Sequence, residues 1–240
     1  DAQESRGLGD VYKRQELVPA MGCTEPIAVA YAGAIARKTL GCLPDKVDLA
    51  VSGNIIKNVK SVIVPHTKGR KGLQTAVAVG ICCGNADKEL EVLSDVTDEQ
   101  LTLMDDFLAS AKITVSELNS NCPFDIQVKV YSGEESAYIR IIGNHTNVVC
   151  ICKNDEIILD KPFTDEVVQA AQNRKLLNVK DIVEFADTVR VDDIREVIKR
   201  QIEYNTAIAN AGMNGRYGAN IGKILIDARS TVRLPQGIFS

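Results

Sequence analysis

The spacing of hydrophobic and polar positions changes twice along the chain. Residues 24–40 and 72–83 are small and apolar on all sides, a pattern typical of buried helices that approach their neighbours closely. Residues 113–152 alternate apolar with polar positions, which predicts an antiparallel meander. Helical spacing returns after Pro162 and includes a long amphipathic segment at residues 192–211. The chain is therefore expected to adopt an α+β fold with small-residue buried helices, a central antiparallel meander and C-terminal helices.

Local signals place the ends of the early elements. Thr24 is expected to cap the first helix, with Pro26 in its first turn and Gly41 after its last turn. Residues 47–51 alternate as a strand, which ends at a Ser-Gly-Asn turn before a short helix. Thr97 is expected to begin another helix, because acidic residues follow it in the first turn.

Turn residues divide the middle of the chain into four strands. The segments between turns rich in Asn, Ser and Gly are residues 113–118, 124–131, 136–142 and 147–152. Further along, Thr164 and Asn178 are expected to cap helices, and Gly212 is expected to end the long amphipathic helix.

The two ends of the chain differ in composition from the rest. Residues 1–15 have no helical or strand period, so they are interpreted as a leader outside the core, either a spurious translated segment or a flexible arm. Residues 229–240 are interpreted as a tail outside the core. Residues 16–228 are expected to form a single α+β domain, because no repeat or linker divides them.

Composition argues against several classes of partner. The chain has 28 basic and 32 acidic residues, a net charge of -4, and no long basic block, which disfavours nucleic acid and anionic membranes. It contains no Trp, and its apolar stretches are shorter than the ~20 residues that span a bilayer. Its seven cysteines are an odd number with no apolar leader before them, which predicts a reduced, cytoplasmic protein.

Cys23 is the thiol that is best placed for chemistry. It stands directly before the predicted helix start at Thr24, where free backbone N–H groups and the positive end of the helix dipole are expected to lower the pKa of a thiol. A thiolate at this position would bind a metal or attack a substrate. The alternative is a buried structural cysteine in a cap turn.

The Ser52-Gly53-Asn54 turn is a second candidate. It brings a hydroxyl, a closely approachable backbone and an amide to a strand-to-helix junction, which is suited to holding a substrate carboxylate. Lys57 and Asn58 follow on the next turn of the chain. The alternative is an N-cap turn with nothing bound.

Two further patterns are rejected as sites. His145, Cys150 and Cys152 lack the paired C-x-x-C knuckles of structural zinc sites, which favours buried thiols in the core. The segment GANIGK at residues 218–223 is one residue short of a phosphate-binding loop, and Ile224 replaces the required Ser or Thr. An NTP site is therefore excluded.

Three motifs, taken in order, resemble the L-cysteine desulfidase family, which belongs with the α-chain of iron–sulfur-dependent serine dehydratases. They are VPAMGCTEP at residues 18–26, VSGNIIKN at residues 51–58 and GNHTN at residues 143–147. The resemblance extends over about residues 16–228. Because members of that family are longer, the chain is interpreted as the N-terminal portion of such an enzyme.

The resemblance implies a carbon–sulfur lyase that converts L-cysteine to pyruvate, ammonia and sulfide on a [4Fe–4S] cluster. Cys23 would be the one cluster ligand in this chain, with the other ligands in a C-terminal part, so this portion alone is expected to be inactive. The resemblance assigns no catalytic base. It implies five substrate-binding residues, namely Ser52, Asn54, Lys57, Asn58 and His145.

Other functions stay open at this point. An L-serine dehydratase would use nearly the same pocket, because the leaving groups of serine and cysteine differ by one atom. A non-catalytic amino-acid-binding module would keep the fold without the cluster. Pyridoxal phosphate is disfavoured, since no lysine stands in a recognisable Schiff-base context. The expected partner is a small amino acid, L-cysteine or L-serine, and a homo-oligomer is left open.

Overall fold

The computed structural model describes residues 19–163 and 178–231, which combine helices with one six-stranded sheet. The predicted α+β class is confirmed, with buried helices first, the sheet in the middle and helices at the C-terminal side. The sheet belongs to a compact unit, Pro19–Asn178, and the helices from Val179 onward belong to a second unit. The single domain predicted over residues 16–228 stays a prediction.

The first unit alternates helices and strands before its meander. Its helices are α1 (Thr24–Leu40), α2 (Gly53–Val59), α3 (Leu73–Cys83) and α4 (Asp98–Ser110), with a 3-10 helix at Ala86–Glu91. Its strands are β1 (Lys46–Ser52), β2 (Lys112–Leu118), β3 (Asp125–Ser132), β4 (Glu135–Ile142), β5 (Val148–Lys153) and β6 (Glu156–Asp160). The second unit contains α5 (Val179–Thr188), α6 (Val191–Asn214) and α7 (Ile221–Thr231).

Helix α1 begins and ends close to the predicted residues. Its N-cap is Cys23 in an extended conformation, so Thr24 is the first helical residue and the prediction of Thr24 as the cap is wrong by one position. The Thr24 hydroxyl instead donates to the Glu25 carboxylate at 3.3 Å. The helix ends at Gly41, whose left-handed backbone (φ 91°) is one that glycine adopts without strain.

Helices α1 and α3 pack backbone against backbone. An added Cβ on Gly80 of α3 would overlap the backbone carbonyl of Ala30 in α1, and one on Gly33 would lie 2.8 Å from the carbonyl oxygen of Val77. The residues at this crossing are fully or almost fully buried. The small side chains predicted to allow a close approach therefore do so.

The sheet has the strand order β2-β1-β3-β4-β5-β6. The four strands predicted as a meander are β2 to β5. Strands β3 to β5 pair antiparallel as predicted and are continued by β6, whereas the prediction that β2 belongs to the meander is wrong. Strand β2 pairs in parallel with β1, and β1 pairs antiparallel with β3. The parallel pair is possible because helices α2, α3 and α4 lie between β1 and β2 in the chain and provide the long crossover that parallel strands need. Strand β6, which is mostly exposed, was not predicted because its sequence, EIILD, does not alternate between polar and apolar residues.

The two faces of the sheet have different surroundings. Alternate residues of the central strands, such as Val128 of β3 and Ile139 of β4, are fully buried and belong to the hydrophobic core beneath α1. The residues between them point to the opposite face, as expected from the two-residue period of a strand. This face, called the open face below, carries half-buried or exposed side chains that include Lys129, Tyr138 and Arg140.

Helix α6 is longer than predicted. It continues through Gly212 and ends at Asn214, with Gly215 as its C-cap, so the predicted end at Gly212 is wrong. One interior glycine costs a helix only about 1 kcal/mol relative to alanine, which 24 residues of helix can absorb. The predicted cap at Thr164 lies outside the described residues. Helix α7 extends to Thr231, so the first residues of the predicted tail are helical.

Across residues 19–163 and 178–231, none of the helices combines the length and the apolar composition that a membrane crossing requires.

Replacement of Gly80 by alanine should destabilise the first unit by about 2 kcal/mol or more, because the new methyl group would displace the backbone of α1. Urea unfolding followed by circular dichroism measures the change. Gly212→Ala is the matched control, since nothing lies within 4 Å of a Cβ at that position, and it should stabilise its helix by about 0.5–1 kcal/mol. Equal effects of the two substitutions would contradict the close packing of α1 on α3.

Candidate functional site

The thiol of Cys23 lies against a carboxylate at the N-terminal end of α1. Its Sγ atom donates to Oε2 of Glu25 across 3.3 Å. Burial, followed by this hydrogen bond and the nearby negative charge, raises the pKa of Cys23. The prediction that the helix end lowers this pKa is therefore wrong, because burial and the carboxylate two residues away outweigh the backbone contribution. Cys23 carries its proton at neutral pH.

The Glu25 carboxylate is fixed from a second helix. Asn58 of α2 donates its side-chain amide to Oε1 of Glu25 at 3.1 Å. Burial opposes ionisation of Glu25, but hydrogen bonds from the backbone, from Cys23 and from Asn58 outweigh it and lower the pKa of Glu25. The carboxylate is therefore ionised at neutral pH, and both of its oxygens have a donor.

His145 reaches the same region from the loop between β4 and β5. Its ring lies 4.4 Å from the ring of Phe124, centroid to centroid. Burial lowers the pKa of His145, and the charge of Glu25 opposes this shift, so the imidazole is neutral at neutral pH. Its Nε2 atom is buried and has no hydrogen-bond partner within the part of the chain that the structure describes. A buried polar atom of this kind is costly unless a ligand satisfies it.

Cys23, Glu25, Asn58 and His145 are called the Cys23 site below. They come from the start of α1, the last turn of α2 and the loop after β4, so the fold assembles them from segments far apart in the chain. At neutral pH the site combines a protonated thiol, an ionised carboxylate and a neutral imidazole, whose Nε2 atom has no hydrogen-bond partner among the described residues. These groups can donate, accept and move a proton on a small molecule.

The other predicted substrate-binding residues lie close to these in sequence but have different surroundings. The Ser52 hydroxyl donates to the carbonyl of Pro123 at 2.7 Å and accepts from the backbone N–H of Asp125 at 3.4 Å, so it connects the end of β1 to the start of β3. Asn54 and Lys57 are exposed on α2. Asn54 is four residues before Asn58 and therefore lies on the same side of the helix. The roles of these three residues in binding stay predictions.

Glu25 is the residue that sequence reasoning missed. It belongs to one of the motifs, but an acidic side chain in the first turn of a helix is ordinarily explained by the helix dipole alone. Its partner Asn58 is 33 residues away, and no local pattern connects the two. The adjacent thiol was the one available signal, since an acid two residues after a helix-capping cysteine lies within reach of its sulfur.

The described residues do not supply a metal-binding set at this site. No group of three or more His, Cys, Asp and Glu side chains in the described ranges is arranged to hold a metal ion. Cys23 is the one thiol of the Cys23 site, and its hydrogen-bond partner is a carboxylate. These residues do not fit a closed iron–sulfur centre, and Cys23 as a cluster ligand stays a prediction.

Comparison with known proteins shows that the chain is similar in sequence to UPF0597 proteins. No family model matches the chain. The chain is 48% identical to the UPF0597 protein of Desulfitobacterium hafniense over 213 residues, which is 89% of this chain and 50% of the relative. Identity is 45% to the UPF0597 protein of Treponema denticola and 42% to that of Fusobacterium nucleatum, with the same coverage. The chain spans about half the length of the curated relatives it matches.

These relatives overturn the interpretation of the chain as an N-terminal portion of an iron–sulfur L-cysteine desulfidase. They carry the name UPF0597, which mentions neither a lyase nor an iron–sulfur cluster nor a serine dehydratase. The resemblance rested on motifs of nine, eight and five residues, whereas the similarity to the UPF0597 proteins extends over 213 residues. Short motifs of this kind also occur where unrelated chains start a helix or form a turn. They therefore identify a protein family less specifically than a match of this length does. The predicted family and reaction are therefore wrong.

Replacement of His145 should weaken the pH dependence of stability. Because its pKa is lower in the folded chain, His145 contributes stability that is present above the pKa of an unfolded histidine, about 6.5, and is lost as the pH falls from there through the folded value. The free energy of unfolding in urea should therefore fall between about pH 7.5 and about pH 5.5, and His145→Asn should reduce that fall. The exposed His66 provides the control His66→Asn, which should behave as the wild type. A pH dependence that is unchanged in His145→Asn would contradict burial of a neutral imidazole.

Proposed function

We propose that the Cys23 site binds a small polar molecule and transfers a proton to or from it, as part of an enzyme. The observation that carries this proposal is the thiol of Cys23 held 3.3 Å from an ionised carboxylate, whose charge also acts on His145, a buried imidazole with an Nε2 atom that has no partner in the described residues. A purely structural cysteine needs neither an ionised neighbour nor an unsatisfied polar atom beside it.

Each side chain of the Cys23 site has a distinct task in this proposal. Cys23 is the proton donor, because burial and Glu25 keep its thiol protonated. Glu25 is the acceptor that takes a proton from the ligand or from the thiol, and Asn58 holds its carboxylate in one orientation. His145 binds the ligand through Nε2. When Cys23 gives its proton to the ligand, the backbone N–H of Glu25 stabilises the remaining thiolate.

An α-amino acid is the ligand class that these groups favour. Its ammonium group would pair with the Glu25 carboxylate. Its carboxylate would accept from the backbone N–H of Thr24 at the positive end of α1, which is 17 residues long. A ligand with only one of these charges would leave part of the site unsatisfied. The α-proton and the side chain of a bound amino acid would then lie beside the thiol.

Glu25→Gln should increase the reactivity of Cys23. The amide keeps the shape of the side chain but removes the negative charge that raises the pKa of the thiol, so this pKa should fall. Alkylation by iodoacetamide at neutral pH should become faster, by about tenfold for each pKa unit. Mass spectrometry of the tryptic peptide 15–37, whose sole cysteine is Cys23, measures the rate.

Glu99→Gln is the matched control for this substitution. Glu99 also lies in the first turn of a helix, α4, and its carboxylate bonds to Thr97 rather than to a thiol. The alkylation rate of Cys23 should be unchanged in this variant. A rate in Glu25→Gln that equals the wild-type rate would show that the carboxylate does not control the thiol, and the proton-transfer proposal would fail.

Occupation of the site should protect Cys23 from alkylation. L-Alanine at millimolar concentration should slow the labelling of peptide 15–37 in the wild type, whereas N-acetyl-L-alaninamide, which carries neither charge, should leave it unchanged. His145→Asn should lose the protection, because the ligand loses its contact with Nε2. Equal protection by both compounds, or protection that His145→Asn retains in full, would be evidence against an amino-acid ligand at this site.

A further inference from the structure

Two thiols that do not belong to the Cys23 site lie side by side on the open face. Cys150 and Cys152 are two residues apart on β5, so their side chains point in the same direction, and their sulfur atoms are 3.6 Å apart. Both residues are half-buried, which leaves their sulfur atoms within reach of small reagents. Every cysteine of the chain is present as a free thiol in this structure.

The neighbouring strand β4 places one charged and one phenolic side chain beside this pair. Arg140 of β4 is directly opposite Cys150, and Tyr138 is opposite Cys152. Two hydrogen bonds of 3.1 and 2.8 Å from its guanidinium group to Asp125 hold Arg140 in place. Burial and the hydrogen bond with Cys152 raise the pKa of Cys150 to about 11, against the opposing charge of Arg140. Cys150 therefore keeps its proton and can share it with the sulfur of Cys152.

We propose that Cys150 and Cys152 form a reversible modification site, at which a low-molecular-weight disulfide oxidises them to an intrastrand disulfide. The thiolate of one cysteine attacks the external disulfide, which forms a mixed disulfide and releases one thiol. The second cysteine loses its proton and attacks the mixed disulfide, which forms the Cys150–Cys152 bond and releases the second thiol. The two cysteines lose two electrons and two protons, and the external disulfide becomes two thiols.

The geometry of β5 permits this bond and makes it easy to reduce. Residues two apart on a strand have Cα atoms about 6.6 Å apart, which lies at the upper end of the range that a disulfide can span. The pairing of β5 with β6 is irregular between Ile151 and Cys152, so the ladder on that side of β5 is interrupted at this point, whereas the ladder to β4 continues. A bond formed near the limit of its geometry is strained, and strained disulfides are the ones that small thiols reduce.

A second pair of cysteines in the same chain provides a matched control. Cys82 and Cys83 are adjacent at the end of α3, where successive side chains diverge around the helix. Burial raises the pKa of Cys82 to about 12 and that of Cys83 to about 11. Cys83 donates to the backbone carbonyl of Gln100 at 3.3 Å. This pair has the same number of thiols but lacks the strand geometry that points two side chains in one direction.

The experiment treats the folded wild-type chain with excess oxidised glutathione, blocks the remaining thiols with iodoacetamide and digests it with trypsin. Peptide 141–153 contains Cys150 and Cys152 and no other cysteine, and peptide 72–88 contains Cys82 and Cys83 and no other cysteine. Peptide 141–153 should lose the mass of two hydrogen atoms and carry no alkyl group. Peptide 72–88 should carry two alkyl groups. Dithiothreitol added before the block should restore both thiols of peptide 141–153.

A single substitution separates the two steps of the exchange. Cys152→Ser should retain the first step and lose the second, so peptide 141–153 of this variant should carry one glutathione. Oxidised wild-type peptide together with this trapped adduct would support the proposal. Two alkyl groups on wild-type peptide 141–153, or two glutathione adducts without loss of hydrogen, would overturn it. Equal oxidation of peptide 72–88 would also overturn it, because the chemistry would then not depend on the geometry of β5.

Discussion

The contact between the backbones of α1 and α3 is the constraint on which the first unit depends. Gly80 and Ala30 allow the two helices to approach until no side chain separates them, and this approach places α1 between α3 and the central strands. A helix that is buried on all sides cannot shift or rotate without opening a cavity on one side and causing a clash on the other. The start of α1 therefore has a fixed position, and the Cys23 and Glu25 side chains are held with it.

The sequence predicted elements whose signals are local and missed pairings whose partners are distant. Residues that cap helices, such as Gly41 and Thr97, lie where the sequence places them, and Thr97 forms the reciprocal capping bonds with Gln100. Strand β2 was recognised as a strand, but its pairing with β1 depends on a crossover of three helices and has no signature in the period of its own residues. The glycine at position 212 shows the opposite error, since a local breaking signal was overridden by the rest of a long helix.

Prediction of the candidate site shows the same division between local signals and distant partners. Sequence patterns and motifs singled out Cys23, Asn58 and His145, and the fold brings these residues to one place, although the family that suggested several of them is not the one that the chain resembles over most of its length. Glu25 was missed because its role depends on a contact across 33 residues. The direction of the Cys23 pKa was predicted wrongly because burial and a neighbouring carboxylate become visible only once the chain is folded. The positions of the site residues were thus more predictable from the sequence than their electrostatic environments.

Strand β6 has a consequence for the behaviour of the sheet as a surface. It is an outer strand of the sheet that residues 19–163 and 178–231 form, and it presents exposed Ile157 and Ile158 beside a backbone edge that pairs with no other strand of those ranges. Such an edge can add a strand from another molecule and so begin aggregation. Here the strand has only five residues, acidic side chains at both ends and an irregular register with its neighbour. The edge therefore offers a second chain too few consecutive hydrogen-bonding groups. The acidic residues at its two ends would also repel the same strand of another copy. These features protect the edge against growth of the sheet between molecules.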